Sequence, residues 1–137
     1  MLYEATGTLT SGYTVHAKSG NHELILDHRK EIGGADLGVR PAEMVLAAIV
    51  GCRLMTASGY AQKHGLEIER MEATASADTE ELKTIGKMRF KIKLTVHGDL
   101  TEQQRASLEK YVEKVCTVTA FLEVANDIES ETVYVKP

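Results

Sequence analysis

The chain has 137 residues, 43% of them hydrophobic and 26% charged, a composition typical of one globular domain spanning 1–137. Its formal net charge of −4 argues against nucleic acid or an anionic membrane surface as a partner. Two cysteines are too few for a disulfide framework or a four-ligand zinc site, and the five histidines lack the spacing of metal ligands. We therefore expect neither a metal nor another cofactor.

The N-terminal residues 1–20 contain no positively charged start followed by an apolar core, as a secretory leader would. The longest apolar run, 44–52, is too short to span a bilayer. We therefore expect a soluble, cytoplasmic protein with no membrane partner.

The first thirty residues alternate between polar and apolar side chains, which is typical of strands. Ser19, Gly20 and Asn21 lie between two such runs and predict the turn of a β-hairpin. The segment GGADLGVRP, residues 33–41, is rich in loop-forming residues. It ends at Pro41, whose fixed φ suits the first position of a helix, so a helix is predicted to begin there.

The helix predicted from Ala42 to about His64 is apolar on all sides over its first two turns, residues 44–50. On a water-soluble chain such a helix is expected to be enclosed on every side, which makes it the central helix of the fold. Gly65 is expected to end it, after a polar last turn.

Two strands are expected next. Residues 66–80 alternate alanine with polar side chains, although their intrinsic strand preference is poor. The segment KMRFKIKLTVH, residues 87–97, alternates strictly and predicts a half-buried strand whose charged side faces solvent.

A second helix is expected after Thr101, which with Gln104 forms the pattern of a capping box. Its apolar positions form one stripe, which predicts that Cys116 faces the core: Leu108, Tyr111, Val112, Val115 and Cys116. A short turn or helix and a final strand, ETVYVK, follow. Helices and strands are thus partly segregated along the chain, which predicts an α+β fold.

Each predicted helix carries one cysteine on a buried surface. Free cysteine is often a packing residue, so the role of Cys52 and Cys116 could be core packing only. Two thiols that meet could instead run a redox cycle, in which one attacks a peroxide and the other condenses with the resulting sulfenic acid. Sequence spacing alone leaves both alternatives open.

The stretch GGADLGVRPAEMVLAAIVGC, followed later by LEKYVEKVCTVTAFLE, resembles the OsmC/Ohr family of thiol-dependent peroxidases. The resemblance covers most of the chain and includes the cysteine eleven residues after Pro41. It implies an OsmC-like α+β fold, an intertwined homodimer with two long central helices enclosed by antiparallel β-sheets. It also implies that Cys52 is the peroxide-attacking cysteine and Cys116 the resolving one.

The family pattern also has a glutamate directly after the proline and an arginine in the N-terminal strands. Here Ala42 follows the proline and Glu43 comes next. Nine helical steps of about 100° place Glu43 and Cys52 on opposite sides of one helix. The N-terminal strand region offers no arginine, which leaves Arg29, Arg40 and Arg53 as substitutes, of which we favour Arg40 as the cation near the thiol. Thr117 stands where the family pattern has a proline.

The sequence therefore predicts a dimeric, thiol-dependent reductase of organic hydroperoxides that serves oxidative-stress defence. Cys52, Cys116, Arg40 and Glu43 are the candidate catalytic residues. The expected partners are a second copy of the chain, a small apolar peroxide and a dithiol-type reductant. The alternative is a dimeric module that binds a small molecule or a protein, with cysteines that are structural or slowly redox-sensing.

Overall fold

A computed structural model describes residues 1–124 and 126–137. They form an α+β structure with two three-stranded sheets. The chain divides into two compact units, residues 1–45 and 46–137. The strands are β1 (Thr6–Ser11), β2 (Thr14–Ser19), β3 (His22–Leu26), β4 (Ile68–Ala77), β5 (Arg89–Gly98) and β6 (Asp127–Val135). The α-helices are α1 (Pro41–His64), α2 (Glu80–Ile85), α3 (Glu102–Val115) and α4 (Thr117–Glu123), and Lys30–Ile32 form one 3₁₀ turn.

The first unit is an antiparallel sheet in the order β1-β2-β3, followed by a loop. The predicted hairpin is confirmed: β2 and β3 pair through Ser19 and His22, and Gly20 takes the positive φ of 58° that the tight turn needs. The loop then returns to the end of β3, where Val39 forms an isolated parallel bridge with Leu26. A Cβ at Gly38 would collide with the Ile25 carbonyl, so only glycine permits this approach.

Asp27 organises the loop that leads into α1. Its buried carboxylate accepts hydrogen bonds from the Thr14 hydroxyl at 3.0 Å and the His28 N–H at 2.7 Å. Burial alone would raise the pKa of Asp27, but these hydrogen bonds outweigh it and hold the pKa below its usual range. The carboxylate therefore stays charged and satisfies the loop backbone.

The second unit contains a sheet in the order β4-β5-β6. The alternation predicted for β5 is confirmed, because Phe90, Ile92, Leu94 and Val96 are all buried on one side. The expectation of purely antiparallel sheets is wrong here. β4 and β5 are antiparallel, but β5 and β6 are parallel, because α3 and α4 connect them as a crossover.

The helix α1 begins at Pro41 and is followed by Gly65 with φ 61°, as the sequence predicts. Enclosure on every side is not found within one chain. The buried residues recur every fourth position, at Ile49, Arg53, Ala57 and Ala61, while the Met55 side chain is 77% exposed. One sheet can cover only one side of a helix, so the opposite side stays open.

By length and composition alone, α1 could also cross a membrane, although the apolar run 44–52 is shorter than a span. The core helix of a protein passes the same test. One side of α1 packs on the sheet, where its buried Arg53 donates a hydrogen bond to Ser130 on β6 at 3.1 Å.

The capping box predicted for α3 is confirmed: the Gln104 N–H donates to Thr101 Oγ1 and the Thr101 N–H to Gln104 Oε1. The prediction that the apolar positions of α3 form one buried stripe is correct only in part. Leu108, Val112 and Cys116 are buried, whereas Tyr111 and Val115 are partly exposed on the neighbouring face. The predicted turn after Cys116 is α4. The short helix α2 was not predicted, because it buries no residue and has no apolar periodicity.

Candidate functional site

Cys52 and Cys116 both lie in the unit of residues 46–137, which brings them together across 64 positions of sequence. Cys52 lies on α1 beside the stripe of buried residues that includes Ile49 and Arg53, and it is partly buried. Cys116 is 1% exposed and stands between two helices, as the C-cap of α3 and the N-cap of α4.

The Cys52 sulfur is surrounded by hydrogen-bond donors from two elements. The N–H groups of Thr117 and Val118 donate to it from the start of α4. The Thr56 hydroxyl donates from α1, where it lies one turn beyond Cys52. The Cys116 thiol is also within hydrogen-bonding reach. The two sulfurs are therefore direct neighbours.

These contacts make the two thiols unequal. Burial alone would raise the pKa of Cys52, but the Val118 N–H and the other donors outweigh it, so the pKa of Cys52 lies below its usual range. Burial raises the pKa of Cys116, and the neighbouring Cys52 raises it further. The hydroxyl and N–H of Thr119 offset this only in part. The opposite directions are consistent with the geometry, since Cys52 is the less buried sulfur and has more donors.

Such a pair is suited to sequential thiol chemistry. A thiolate is the reactive form of cysteine, and Cys52 is the sulfur on which negative charge is stabilised. Cys116 keeps its proton to higher pH and lies beside it. A disulfide between them would need no long approach of one helix to another.

Glu43 and Arg40 also meet, within the unit of residues 1–45. Arg40 Nη2 lies 2.7 Å from Glu43 Oε1, and the Arg40 N–H donates to Glu43 Oε2 at 3.0 Å. Arg29 Nη2 is a second partner of Oε1 at 3.0 Å. These contacts, from Arg40 above all, lower the pKa of Glu43 to about 2. Glu43 thus caps the backbone at the start of α1 and remains ionised. Catalytic roles for Arg40 and Glu43 stay predictions.

Arg53 is nearly fully buried in the same unit as the two thiols. Its Nη2 donates to Ser130, while its Nε has no partner among the residues that the structure describes. The donors on the Cys52 sulfur, as far as residues 1–124 and 126–137 show them, include no arginine. Over the same residues, no group of three His, Cys, Asp or Glu side chains could hold a metal ion.

Sequence reasoning did not identify Thr56, Thr117, Val118 or Thr119 as part of the site. The spacing of four residues between Cys52 and Thr56 on one predicted helix was a usable signal, since such residues are neighbours on a helix surface. The N–H groups of Thr117 and Val118 had no signal, because only the fold brings them to Cys52.

Residues 33–131 match the sequence profile of the family described as "OsmC-like protein". None of the curated protein sequences compared with the chain matches it. The structure is similar to that of an OsmC-like protein from Mycoplasma pneumoniae, with a TM-score of 0.82, 18% identity and 98% coverage of both chains.

Two further solved structures carry names that refer to organic hydroperoxide resistance. The Legionella pneumophila protein OsmC has a TM-score of 0.67 and 18% identity, with 97% of each chain covered. OhrB of Bacillus subtilis has a TM-score of 0.63 and 18% identity, with 96% of this chain and 98% of that chain covered. At these identities the similarity establishes a shared fold.

The pairing of Glu43 generates a prediction about acid stability. Its carboxyl has a pKa of about 2 in the folded chain against an ordinary value of 4.5, so the pair stabilises the fold above pH 4.5. This contribution is lost as the pH falls from about 4.5 towards 2. Glu43→Gln should lower the melting temperature by a few degrees at pH 7, and the difference from wild type should shrink between pH 5 and pH 2.5.

Thermal melts followed by circular dichroism provide the measurement. Glu113→Gln, on an exposed position of α3, is the matched control and should change the melting temperature little at pH 7. A wild-type advantage over Glu43→Gln that stays constant down to pH 2.5 would contradict the prediction.

Proposed function

The chain belongs to the OsmC-like family, and on that premise we propose that it is a thiol-dependent peroxidase that reduces organic hydroperoxides. The observation that carries the proposal is the direct contact of Cys52 with Cys116, in which Cys52 has the lowered pKa and Cys116 the raised one. The names of the similar Legionella pneumophila and Bacillus subtilis proteins support an organic hydroperoxide as the substrate class.

In the first step, the Cys52 thiolate attacks the distal oxygen of the hydroperoxide. A sulfur–oxygen bond forms, the oxygen–oxygen bond breaks, and the alkoxide leaves and takes up a proton to become the alcohol. Cys52 is then a sulfenic acid, oxidised by two electrons. We assign this step to Cys52 because it is the more acidic and more accessible of the two sulfurs.

In the second step, the Cys116 sulfur attacks the sulfenic acid of Cys52. A sulfur–sulfur bond forms and water leaves, carrying the sulfenic oxygen and the two protons. The buried Cys116 is well placed for this role, because bulk peroxide reaches it less easily than it reaches Cys52. A dithiol reductant then opens the disulfide by thiol exchange and is itself oxidised to a disulfide. We propose that this turnover takes place in the cytoplasm, where such reductants keep thiols reduced.

Arg40 and Glu43 enter the proposal as substitutes for the arginine and glutamate of the family, which this chain lacks at the matching positions. The guanidinium of Arg40 is held by Glu43 at 2.7 Å, and a positioned cation of this kind could bind a peroxide oxygen. Because Arg29 shares the same carboxylate oxygen, the glutamate orients two cations rather than one.

We also propose that the working form is a homodimer. The open side of α1 carries Ala48, Met55 and Gly59, apolar or small residues that a soluble chain rarely leaves in water along one helix. Val115 on α3 is also 43% exposed. A second copy of the chain would cover such surfaces and complete the enclosure that the composition of α1 predicts.

The two-thiol cycle predicts a specific change in mass. After brief exposure to equimolar cumene hydroperoxide, the wild-type chain should lose two hydrogen atoms as the disulfide forms. Cys116→Ser should instead gain one oxygen on Cys52, and Cys52→Ser should remain unchanged. Intact-mass spectrometry with peptide mapping distinguishes these products. No change in any of the three proteins within minutes would overturn the cycle and favour the binding-module alternative.

The surroundings of Cys52 predict a preference among peroxides. Ile49, one turn before Cys52 on α1, and Val118, whose backbone reaches the sulfur, belong to a cluster of buried and partly buried apolar side chains. Burying a phenyl-sized group is worth at least about 1.5 kcal/mol, or roughly tenfold. We expect kcat/KM for cumene hydroperoxide to exceed that for hydrogen peroxide by at least about that factor. Steady-state assays with a dithiol donor test this, and faster turnover of hydrogen peroxide would contradict it.

The homodimer predicts a sedimentation mass of twice the 15.0 kDa of one chain. Met55→Lys should weaken the dimer, because it buries a charge in the covered surface. Lys63→Gln, on the polar last turn of the same helix, is the control and should leave the mass unchanged. Sedimentation equilibrium over a range of concentrations measures both. A wild-type chain of 15.0 kDa at every concentration would refute the homodimer.

A further inference from the structure

Arg53 is a buried cation without a counter-charge in the part of the chain that the structure describes. It is 4% exposed, and an arginine stays protonated in a protein. Its Nη2 donates to the Ser130 hydroxyl at 3.1 Å, while its Nε is buried and has no hydrogen-bond partner among the described residues. The ion pairs of those residues do not include Arg53. Such burial costs free energy, because one neutral hydroxyl replaces only part of the water that a cation loses.

The place of Arg53 in the core makes this cost unexpected. Every fourth residue of α1 is buried, and Arg53 lies between Ile49 and Ala57 in that stripe. Ile49 belongs to one cluster of buried apolar residues and Ala57 to another. An unbranched apolar side chain could pack between the two clusters and avoid the cost of the buried charge. Core stability therefore gives no reason for an arginine at this position.

The hydrogen bond to Ser130 gives such a reason, because it is directional. Apolar packing holds a helix on a sheet but has no preferred direction. A hydrogen bond, in contrast, weakens steeply when its distance or angle changes. Ser130 lies on the edge strand β6, 77 positions along the chain from Arg53, and pairs in register with Ile92 on β5. The bond thus ties one point of α1 to one strand and fixes the rotation of the helix on the sheet.

The rotation of α1 sets the position of Cys52. Cys52 directly precedes Arg53 on the helix, so a rotation that moved one would move the other. On the same helix, Ile49 packs in a cluster that also includes Val118 of α4. The helix α4 begins directly after Cys116. The orientation of α1 therefore decides how Cys52 meets Cys116.

We propose that Arg53 and Ser130 are positioning residues for the redox pair: their hydrogen bond holds α1 in the rotation that presents Cys52 to Cys116. The proposal deepens the proposed peroxidase function and rests on it for the use made of the disulfide. In this role neither residue touches the peroxide or the reacting sulfurs. A positioning role explains why a cation stands in an otherwise apolar stripe.

The test is the equilibrium between the two thiols and the Cys52–Cys116 disulfide in buffers of reduced and oxidised glutathione. Two glutathione molecules lose two electrons and form one disulfide, while the protein disulfide gains them and becomes two thiols. Alkylation of the free thiols and intact-mass spectrometry separate the two protein forms. Arg53→Met removes the charge and keeps a long, unbranched side chain. Ser130→Ala removes the acceptor at an exposed position, so this variant tests the proposal even if Arg53→Met does not fold.

Both variants should make the disulfide easier to reduce, because the thiols are no longer held in position. We expect a shift of about tenfold in the equilibrium constant, or about 30 mV in reduction potential. Ser130→Thr keeps the hydroxyl and should restore the wild-type equilibrium. The melting temperature of reduced Arg53→Met should not fall, because an apolar side chain replaces an uncompensated charge. A lower melting temperature with an unchanged equilibrium would show a purely structural role and overturn the proposal.

Two substitutions on β4 are the matched controls. Arg70→Met removes an arginine that is 67% exposed and pairs with Glu72, and Ser76→Ala removes a hydroxyl opposite Lys91. Both should leave the equilibrium unchanged. An equal shift in either control, or a Ser130→Thr variant that behaves like Ser130→Ala, would overturn the proposal.

Glutathione exchange needs no peroxide, so the outcome is independent of the peroxidase assay. A shifted equilibrium in a chain that reduces no cumene hydroperoxide would uphold the positioning role and reject the proposed function. An equilibrium that neither Arg53→Met nor Ser130→Ala shifts, in a chain that does reduce the peroxide, would reject the positioning role alone.

Discussion

The packing of α1 against the sheet of β4, β5 and β6 is the constraint on which the site depends. Ile49, Arg53, Ala57 and Ala61 recur every fourth position and hold one side of the helix against the buried side of β5. Cys52 lies beside this stripe rather than in it, which leaves its sulfur partly buried. A rotation of α1 by one residue would bury the sulfur under the sheet or turn it towards solvent.

The junction of α3 and α4 positions Cys116, as the packing of α1 positions Cys52. The capping box at Thr101 starts α3, and the buried Leu108 and Val112 align it, so that its last turn delivers Cys116 to Cys52. Because the chain turns at Cys116 into a new helix, the N–H groups that follow it point at the Cys52 sulfur rather than at carbonyls of α3. Two chemically identical thiols become unequal only because one receives these donors while the other is enclosed.

Local signals in the sequence were sufficient for much of the fold. Pro41 and Gly65 bound α1 through their own backbone preferences, and strict alternation identifies β5 without reference to any other element. The parallel pairing of β6 could not be found in this way, because it depends on where the crossover through α3 and α4 returns the chain. The exposure of one side of α1 could not be predicted in this way either. An apolar composition indicates that a helix surface is covered, but it does not indicate whether the same chain or a second copy covers it.

In the candidate site, too, the sequence predicts some of the contributing groups and not others. Cys52 and Cys116 stand out as residue types, and their side chains meet in the structure. The contributions of Thr117 and Val118 come from the peptide backbone, which every residue but proline shares, so no residue type marks them. The sequence shows that Thr117 stands where the family pattern has a proline. That this replacement adds an N–H donor for the Cys52 sulfur becomes clear only from the structure.

The separation of 64 positions between the two thiols has a consequence for the stability of the fold itself. A disulfide between Cys52 and Cys116 would close a loop that contains β4, β5 and most of the core between α1 and α3. Cross-linking a loop of that length removes conformational entropy from the unfolded chain worth about 4 kcal/mol. The oxidised protein would then resist heat and proteolysis better than the reduced one. The lifetime of the protein in a cell would therefore depend on the fraction of it that peroxide has oxidised.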